Sequence, residues 1–385
     1  MMMVKKQEKY NIVRIVFFVL LMLPFMSLTG IKGAMGETIY QAWQISSFVL
    51  FALFVVFKLQ SIRLTWAVSL FALYELVVIF SSVINNGFNY GIIVVSLVAI
   101  LLFIVMQSKY YREVLVAVSA IIVISVIVNF PMMLTELNEP NAELFIGGKN
   151  ALGVFLIPSA FLLVINSFEN NEKLTIGTVL LLGLSFITII MGASGTGIVT
   201  SACAIILLII AAKFQPQKIT YLAVILSLYA LLLVFTEFFF NTTFWLNFVN
   251  MLGKDSTLTS RTTIWQIVID LVKENWLLGA GRGVEFGYVN TWGGDVIHSE
   301  AHNFILEILM CSGIVGLSLY GMLFFKTVNR LNMGITKHRM AFVALCVLLI
   351  NGLTESTVNN FLVITILGIA CRYAVTGNEN IDIKS

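Results

Sequence analysis

Charged residues are scarce in this chain: Asp, Glu, Lys and Arg make up 11% of its 385 residues, against about a quarter in soluble domains. With 59% hydrophobic residues and a mean hydropathy of +0.97, this scarcity excludes a soluble globular protein and predicts a polytopic membrane protein. Cysteine is also scarce, and all four lie in predicted spans or at a cytoplasmic end, which excludes a disulfide framework and a metal-ligand spacing.

Long apolar runs are what the chain has instead. A helix of about 17 to 24 apolar residues crosses a hydrocarbon core of ~30 Å, so each such run predicts a transmembrane helix. We predict an all-α polytopic fold with about twelve spans. They lie near 12–30, 40–57, 63–84, 91–106, 113–130, 151–168, 174–191, 194–212, 219–238, 303–325, 339–353 and 358–375. With no repeat and no linker, residues 1–385 form a single predicted membrane domain.

The distribution of basic residues predicts the topology. Lys5, Lys6, Lys9 and Arg14 precede the first run, which lacks a cleavage site and is therefore predicted to be a signal anchor. With the N-terminus inside, the 23 basic residues divide into 17 cytoplasmic and 6 outer ones, as the positive-inside rule requires. Both termini are therefore predicted to be cytoplasmic. The same bias accounts for the net charge of +3, so no nucleic-acid partner is implied.

Two outer segments are longer than a connection requires. Residues 131–150 end in Gly147-Gly148-Lys149-Asn150, and residues 239–302 form a large extracytoplasmic loop between the ninth and tenth spans. Within the large loop, the pattern of apolar residues after Ser260, a plausible N-cap, predicts an amphipathic helix. We expect this helix to lie in the membrane interface, with its two tryptophans at headgroup depth. Its apolar face comprises Ile264, Trp265, Ile267, Val268, Leu271, Val272 and Trp276, and its polar face Asp270, Lys273 and Glu274.

A glycine-rich turn follows this helix, Gly279-Ala280-Gly281-Arg282-Gly283. The glycines predict a backbone that can approach an anion closely, and Arg282 would supply positive charge. An ordinary turn explains the same glycines equally well. Glu300, His302 and Asn303 then stand at the start of the tenth span, where backbone N–H groups lack partners and the helix dipole favours negative charge.

These motifs resemble the signature region of the O-antigen polymerase and ligase superfamily. The resemblance is carried by Ser260-Arg261 through Trp265, the turn Gly279-x-Gly281-x-Gly283, and His302-Asn303 followed nine residues later by Gly313-x-x-Gly316. Gly148-Lys149-Asn150 and Ser194 resemble its weaker upstream motifs. Many members carry Arg after that serine, where this chain has Gly195, so a phosphate contact is either missing here or supplied by Lys149 or Arg261.

The resemblance implies a GT-C-like membrane glycosyltransferase that acts on polyprenyl-diphosphate-linked glycans, undecaprenyl diphosphate being the expected carrier. Such a transfer needs cations for the leaving group and a base for the acceptor hydroxyl. We predict Arg261 and Arg282 as catalytic cations and His302 as the catalytic base. Headgroup anchoring is the alternative for both arginines, and N-capping or simple exposure the alternative for His302.

Seven further residues are predicted to bind substrate: Lys149, Asn150, His298, Glu300, Asn303, Glu75 and Ser194. Lys149 could instead flank a span, and simple exposure is the alternative for His298. Glu75 lies in the middle of the third span, where a carboxylate either lines a functional cavity or is a protonated hydrogen-bonding group. Glu307 is a helical turn below His302 and is expected either to position its imidazole or to pair with Arg261.

Three functions compete at this stage. The first is a polymerase that transfers the glycan onto a lipid-linked repeat unit, metal-independent and inverting, in the inner membrane with its active site outside. Its expected partners are the lipid-linked oligosaccharide, membrane lipid, a flippase and a chain-length regulator. The second is a ligase with a lipid, protein or wall acceptor, and the third is a transporter. We predict no cofactor and no metal, since His298-Ser-Glu300-Ala-His302 fits no zinc motif.

Overall fold

The computed structural model describes residues 11–58, 64–86, 89–136, 143–215, 217–234, 261–289 and 295–379. Helices in these segments are α1 (Ile12–Met22), α2 (Thr29–Met35), α3 (Glu37–Phe57), α4 (Trp66–Asn86), α5 (Tyr90–Met106), α6 (Tyr111–Thr135), α7 (Lys149–Asn171), α8 (Ile176–Met191), α9 (Gly195–Lys213), α10 (Lys218–Val234), α11 (Arg261–Glu274), α12 (Phe304–Arg330), α13 (Thr336–Asn351) and α14 (Phe361–Glu379). Strands β1 (Phe286–Val289) and β2 (Asp295–His298) form an antiparallel hairpin.

The structure confirms an all-α polytopic membrane protein. A helix lies in each of the twelve predicted spans. Six of them, α3, α4, α6, α7, α9 and α12, are long and apolar enough to cross a bilayer, and the pair α1 and α2 makes seven if it is counted as one span. The number twelve therefore stays a prediction.

The first predicted span, 12–30, is broken. A 3₁₀ turn at Leu23–Phe25 ends α1, Ser27 takes a positive φ of 53°, and α2 leaves at an angle of 86° to the first part. Pro24 lies in this turn, and its carbonyl oxygen accepts hydrogen bonds from Tyr40 Oη at 2.7 Å and Gln44 Nε2 at 2.9 Å of α3. A hydropathy profile does not reveal this break, because every residue involved is apolar or small.

A proline inside α7 leaves a backbone carbonyl open to a contact from the connection between α13 and α14. Pro158 lies inside α7 and has no N–H to donate to the carbonyl of Val154, one turn earlier. Asn360 Nδ2 donates to that oxygen at 3.4 Å. The amide thereby ties the connection between α13 and α14 to α7.

Ion pairs divide the helix ends into two groups, as expected for helices that cross the membrane in alternating directions. Residues predicted to be cytoplasmic contact one another: Arg14 with Glu113 at 3.0 Å, and Lys337 with Glu169 at 3.1 Å. Arg261 and His302, predicted to be outside, share a partner at the opposite ends of the helices. The arrangement agrees with the predicted alternation, while which side faces the cytoplasm stays a prediction.

Candidate functional site

The amphipathic helix of the large loop is confirmed as α11, but its orientation differs in one respect. Ile264, Trp265 and Val268 are buried against α12, and Trp276 just beyond the helix is 61% exposed. Trp265 faces the protein: it is 1% exposed and donates from Nε1 to the carbonyl oxygen of His302 at 3.3 Å. The headgroup depth of the two tryptophans stays a prediction. Ser260, the predicted N-cap, lies outside the described residues.

The glycine-rich turn docks into a kink of α12. Gly279 and Gly313 both take positive φ values, of 76° and 60°. A Cβ on Gly313 would lie 2.3 Å from the carbonyl oxygen of Leu277, and one on Gly279 would lie 2.6 Å from that of Met310. Only glycine fits at either position, so these two parts of the family resemblance are the two sides of one backbone contact.

The turn has little backbone left for an anion, which corrects the prediction made from its glycines. The N–H groups of Ala280 and Gly281 donate to the carbonyl oxygen of Met310 at 2.7 and 3.1 Å, and that of Arg282 donates to Ser82 Oγ at 2.8 Å. Since each donor has a protein partner, the glycines here serve close packing rather than anion binding.

His302 stands in a strained turn that several bonds hold. Its φ of 47° is in the left-handed region, which non-glycine residues adopt at some free-energy cost and keep only where the surroundings fix it. The N–H of Ala301 donates to Glu307 Oε2 at 2.8 Å. Asn303 caps α12 through its Oδ1 and donates from Nδ2 to the carbonyl oxygen of Leu353. These bonds fix the backbone on either side of the imidazole.

Glu355 is the site residue that the sequence analysis missed. One carboxylate oxygen pairs with Arg261 Nη2, and the other lies 3.6 Å from His302 Nδ1. The latter separation is within ion-pair range but longer than a hydrogen bond. The side chain of Glu355 is 7% exposed, against 14% for Arg261 and 22% for His302. The signal was available, since Glu355 is a carboxylate in a short outer connection between two apolar runs.

Arg261 also reaches α9. Its Nη1 donates to Thr196 Oγ1 at 3.4 Å, and Thr354 Oγ1 lies 3.2 Å from the same hydroxyl. Ser194 caps α9 by accepting from the N–H of Gly197 at 3.3 Å, and it is 3% exposed. Its hydroxyl is thus committed to the helix start, next to the threonine that Arg261 contacts.

Arg282 lies apart from Arg261, in a buried pair with Glu75. Its Nη2 is 3.4 Å from Glu75 Oε2 and donates to Asn359 Oδ1 at 2.5 Å, and its Nη1 donates to Ser96 Oγ at 2.8 Å. The side chains of Arg282 and Glu75 are 12% and 2% exposed. Glu75 is therefore explained by an ion pair, an alternative that the sequence analysis did not consider.

A chain of hydrogen bonds joins this pair to the histidine turn. Asn359, which accepts from Arg282, donates from Nδ2 to Glu307 Oε1 at 3.3 Å. Glu307 Oε2 accepts from Ala301 N and from Ser356 Oγ at 3.0 Å. Among the described contacts, Glu307 does not pair with Arg261, and it does not touch the imidazole directly. It acts on His302 through the backbone of the preceding residue.

Lys149 and Asn150 form the first turn of α7. Gly148, the N-cap, provides no side chain to cap the helix, and the partly exposed Lys149 makes no hydrogen bond or ion pair within the described ranges. One turn further on, a Cβ on Gly153 would lie 3.3 Å from the Cα of Gly197. The start of α7 therefore adjoins the start of α9, where Arg261 binds Thr196.

The hairpin places His298 and Glu300 close to His302. The rings of Phe286 and His298 are 6.5 Å apart, and those of His298 and His302 are 5.6 Å apart. Burial lowers the pKa of His298, and His302 lowers it further. Loss of hydration raises the pKa of Glu300, which the charges of Glu307 and Glu355 reinforce and His302 opposes.

Comparison with known proteins shows similarity to one family over part of the chain. Residues 179–321, somewhat more than a third of the chain, match the family model described as O-antigen ligase. The resemblance to the O-antigen polymerase and ligase superfamily is confirmed. No curated protein matches the chain. The matched segment contains Arg261, Arg282 and His302, whereas Lys149 and Glu355 lie outside it.

The family supports a multi-pass inner-membrane protein, a glycosyltransferase-like enzyme of O-antigen or related glycan assembly, with lipid-linked glycan substrates. Among the described residues, no group of three or more His, Cys, Asp or Glu side chains is arranged to hold a metal ion.

Proposed function

We propose that the protein is a GT-C-like polysaccharide polymerase. It transfers a glycan from polyprenyl diphosphate, undecaprenyl diphosphate being the expected carrier, to the end of a lipid-linked repeat unit. The reaction takes place on the outer face of the membrane, both chain termini are cytoplasmic, and about twelve helices span the bilayer. The observation that carries the proposal is the carboxylate of Glu355 between Arg261 and His302.

His302 acts as the general base. The acceptor hydroxyl oxygen attacks the anomeric carbon, its proton passes to His302, and the bond from that carbon to the diphosphate oxygen breaks with its electron pair. A single displacement inverts the anomeric configuration. The imidazolium that forms is stabilised by Glu355, now 3.6 Å away, and this contact shortens as the charge develops.

The leaving diphosphate is held by Lys149, Arg261 and the start of α7. Arg282 is neutralised by Glu75, and Arg261 shares its charge with Glu355, whereas Lys149 is not matched by a described carboxylate. The uncapped N–H groups after Gly148 add a favourable helix dipole. This assignment gives Lys149 the role of the arginine that relatives carry where this chain has Gly195.

The remaining predicted residues have supporting roles. Arg282 positions the histidine turn through Asn359 and Glu307 rather than touching the substrate, so we propose it as a positioning residue. His298 and Glu300 adjoin the base on the hairpin side and bind the acceptor sugar, together with Asn150 at the rim. The transfer is metal-independent. A flippase and a chain-length regulator are the expected protein partners, in O-antigen or capsule assembly.

The test is the length distribution of surface polysaccharide in cells. We expect His302→Ala and Arg261→Ala to reduce long chains to a single repeat while the protein remains in the membrane. Lys273→Ala is the matched control, since this exposed lysine of α11 pairs only with Asp270 among the described residues. Normal ladders from both site variants would refute the assignment. Full-length chains that stay on the carrier in cells lacking the protein would favour the ligase alternative.

A further inference from the structure

A hollow of about 330 Å³ lies between α7, α8 and α9, away from the polar site. Its walls are almost entirely aliphatic and aromatic, for example Leu156, Phe161, Leu182, Phe186 and Leu208. The only hydroxyls in the lining are those of Ser185 and Ser201. Its size is at the lower end of the ~300 to 1,000 Å³ typical of ligand sites. Its chemistry suits a hydrocarbon chain and nothing charged.

Small residues leave space for the hollow and open it toward the surrounding bilayer. Ala160, Gly183 and Ala204 stand one on each of the three helices that line it. Gly183 is exposed, and a Cβ built on it would meet no atom within 4 Å. A chain dissolved in the bilayer can therefore enter laterally, without passing through the aqueous site.

The hollow is aligned with the proposed diphosphate site. With a rise of 1.5 Å per residue, Ser201 lies ~7.5 Å and Leu208 ~18 Å along α9 from Thr196, the residue that Arg261 contacts. On α7, Leu156 lies ~10 Å from Lys149. Both helices therefore lead from the cations of the site directly to the hollow. If the diphosphate of a lipid is bound at the first turns of α7 and α9, its hydrocarbon chain starts next to the hollow.

We propose that the hollow binds the isoprene units that follow the first one in the polyprenyl carrier and so anchors the donor. This inference rests on the proposed function for the identity of the lipid. An ordinary phospholipid is the less suitable occupant, because the continuity with Lys149 and Arg261 favours a chain that carries a diphosphate. Anchoring the chain at a fixed depth would hold the bond to be broken level with His302.

The test fills the hollow and measures binding of glycan-free lipid to the whole protein in nanodiscs. Gly183→Leu adds a side chain at the lining of the hollow, where a Cβ meets no atom within 4 Å, and it raises helix propensity. Gly177→Leu on the same helix is the matched control, because its Cβ is equally free and the residue does not line the hollow. We expect Gly183→Leu to weaken binding of long-chain polyprenyl diphosphate about tenfold, as for losing roughly two buried methylenes.

A second ligand separates the contribution of the isoprene chain to binding from that of the diphosphate. Diphosphate carrying a single isoprene unit ends above Ser201, so wild type and Gly183→Leu should bind it equally. Equal binding of the long-chain lipid by wild type and Gly183→Leu would overturn the inference, as would equal weakening by Gly177→Leu. If these lipids bind as expected but wild-type protein transfers no glycan, the proposed function fails and the lipid site stands.

Photo-crosslinking identifies the source of the chain. Polyprenyl diphosphate with a diazirine on its third isoprene unit should label α8 and α9 at the hollow, and excess unlabelled polyprenyl diphosphate should suppress the label. Suppression by phospholipid at the same concentration would assign the hollow to bulk lipid and refute the inference.

Discussion

Replacing Glu355 by glutamine tests the centre of the proposed mechanism. The change keeps the size of the side chain and removes its charge. At 3.6 Å and an effective dielectric constant of ~20, the attraction between the carboxylate and a protonated imidazole is about 4 to 5 kcal/mol. His302 keeps partial contact with solvent, with 22% of its side chain exposed. We therefore expect roughly half of this attraction to be realised, which corresponds to a decrease of about 50-fold in kcat.

The assay is transfer of glycan from polyprenyl diphosphate by purified protein in liposomes. Glu274→Gln, on the exposed face of α11, is the matched control and should leave kcat unchanged. The KM for the donor should change less than kcat, because the charge on His302 exists only while the proton is transferred. A Glu355→Gln variant that folds normally and keeps the wild-type kcat would refute the role given to Glu355.

Three other outcomes follow from the structure. Gly313→Ala should destabilise the protein by more than the ~1 to 2 kcal/mol of a left-handed alanine, since its Cβ meets backbone, while Gly321→Ala on the same helix should be neutral in thermal unfolding. Arg282→Met should lose about 3 to 5 kcal/mol by leaving Glu75 unpaired, and adding Glu75→Gln should restore most of the unfolding midpoint. Chelator should leave transfer unchanged, and a loss that a divalent ion restores would contradict metal independence.

Local patterns predicted the helices because hydropathy and amphipathicity are properties of neighbouring residues. The buried face of α11 and a helix in each apolar run could be predicted in this way. The break near Ser27 could not, since it depends on one turn of backbone. The hairpin was also missed: β1 and β2 are four residues each, too short to display a period against the loop around them.

The site was predicted only in part, because its pairings join distant segments. Arg261 and His302 were identified from their motifs, but their common partner Glu355 is 94 residues from Arg261. Glu75 and Arg282 were each flagged, yet their separation of 207 positions in the sequence concealed that they neutralise one another. A single sequence shows which charged residues are unusual for a membrane protein. It does not show which of them meet.

The glycines of the large loop and the buried ion pair between Arg282 and Glu75 act together to position the turn that contains His302. The contact between Gly279 and Gly313 fixes the end of the turn, and Arg282 follows three residues later with its guanidinium on Glu75. Through Asn359 and Glu307, the same pair reaches the residue before His302. An ion pair buried among helices contributes little net stability, because desolvation opposes the attraction. Its value here lies in geometry: the pair couples the loop to the helices, so that His302 keeps its strained backbone and its position opposite Arg261 and Glu355.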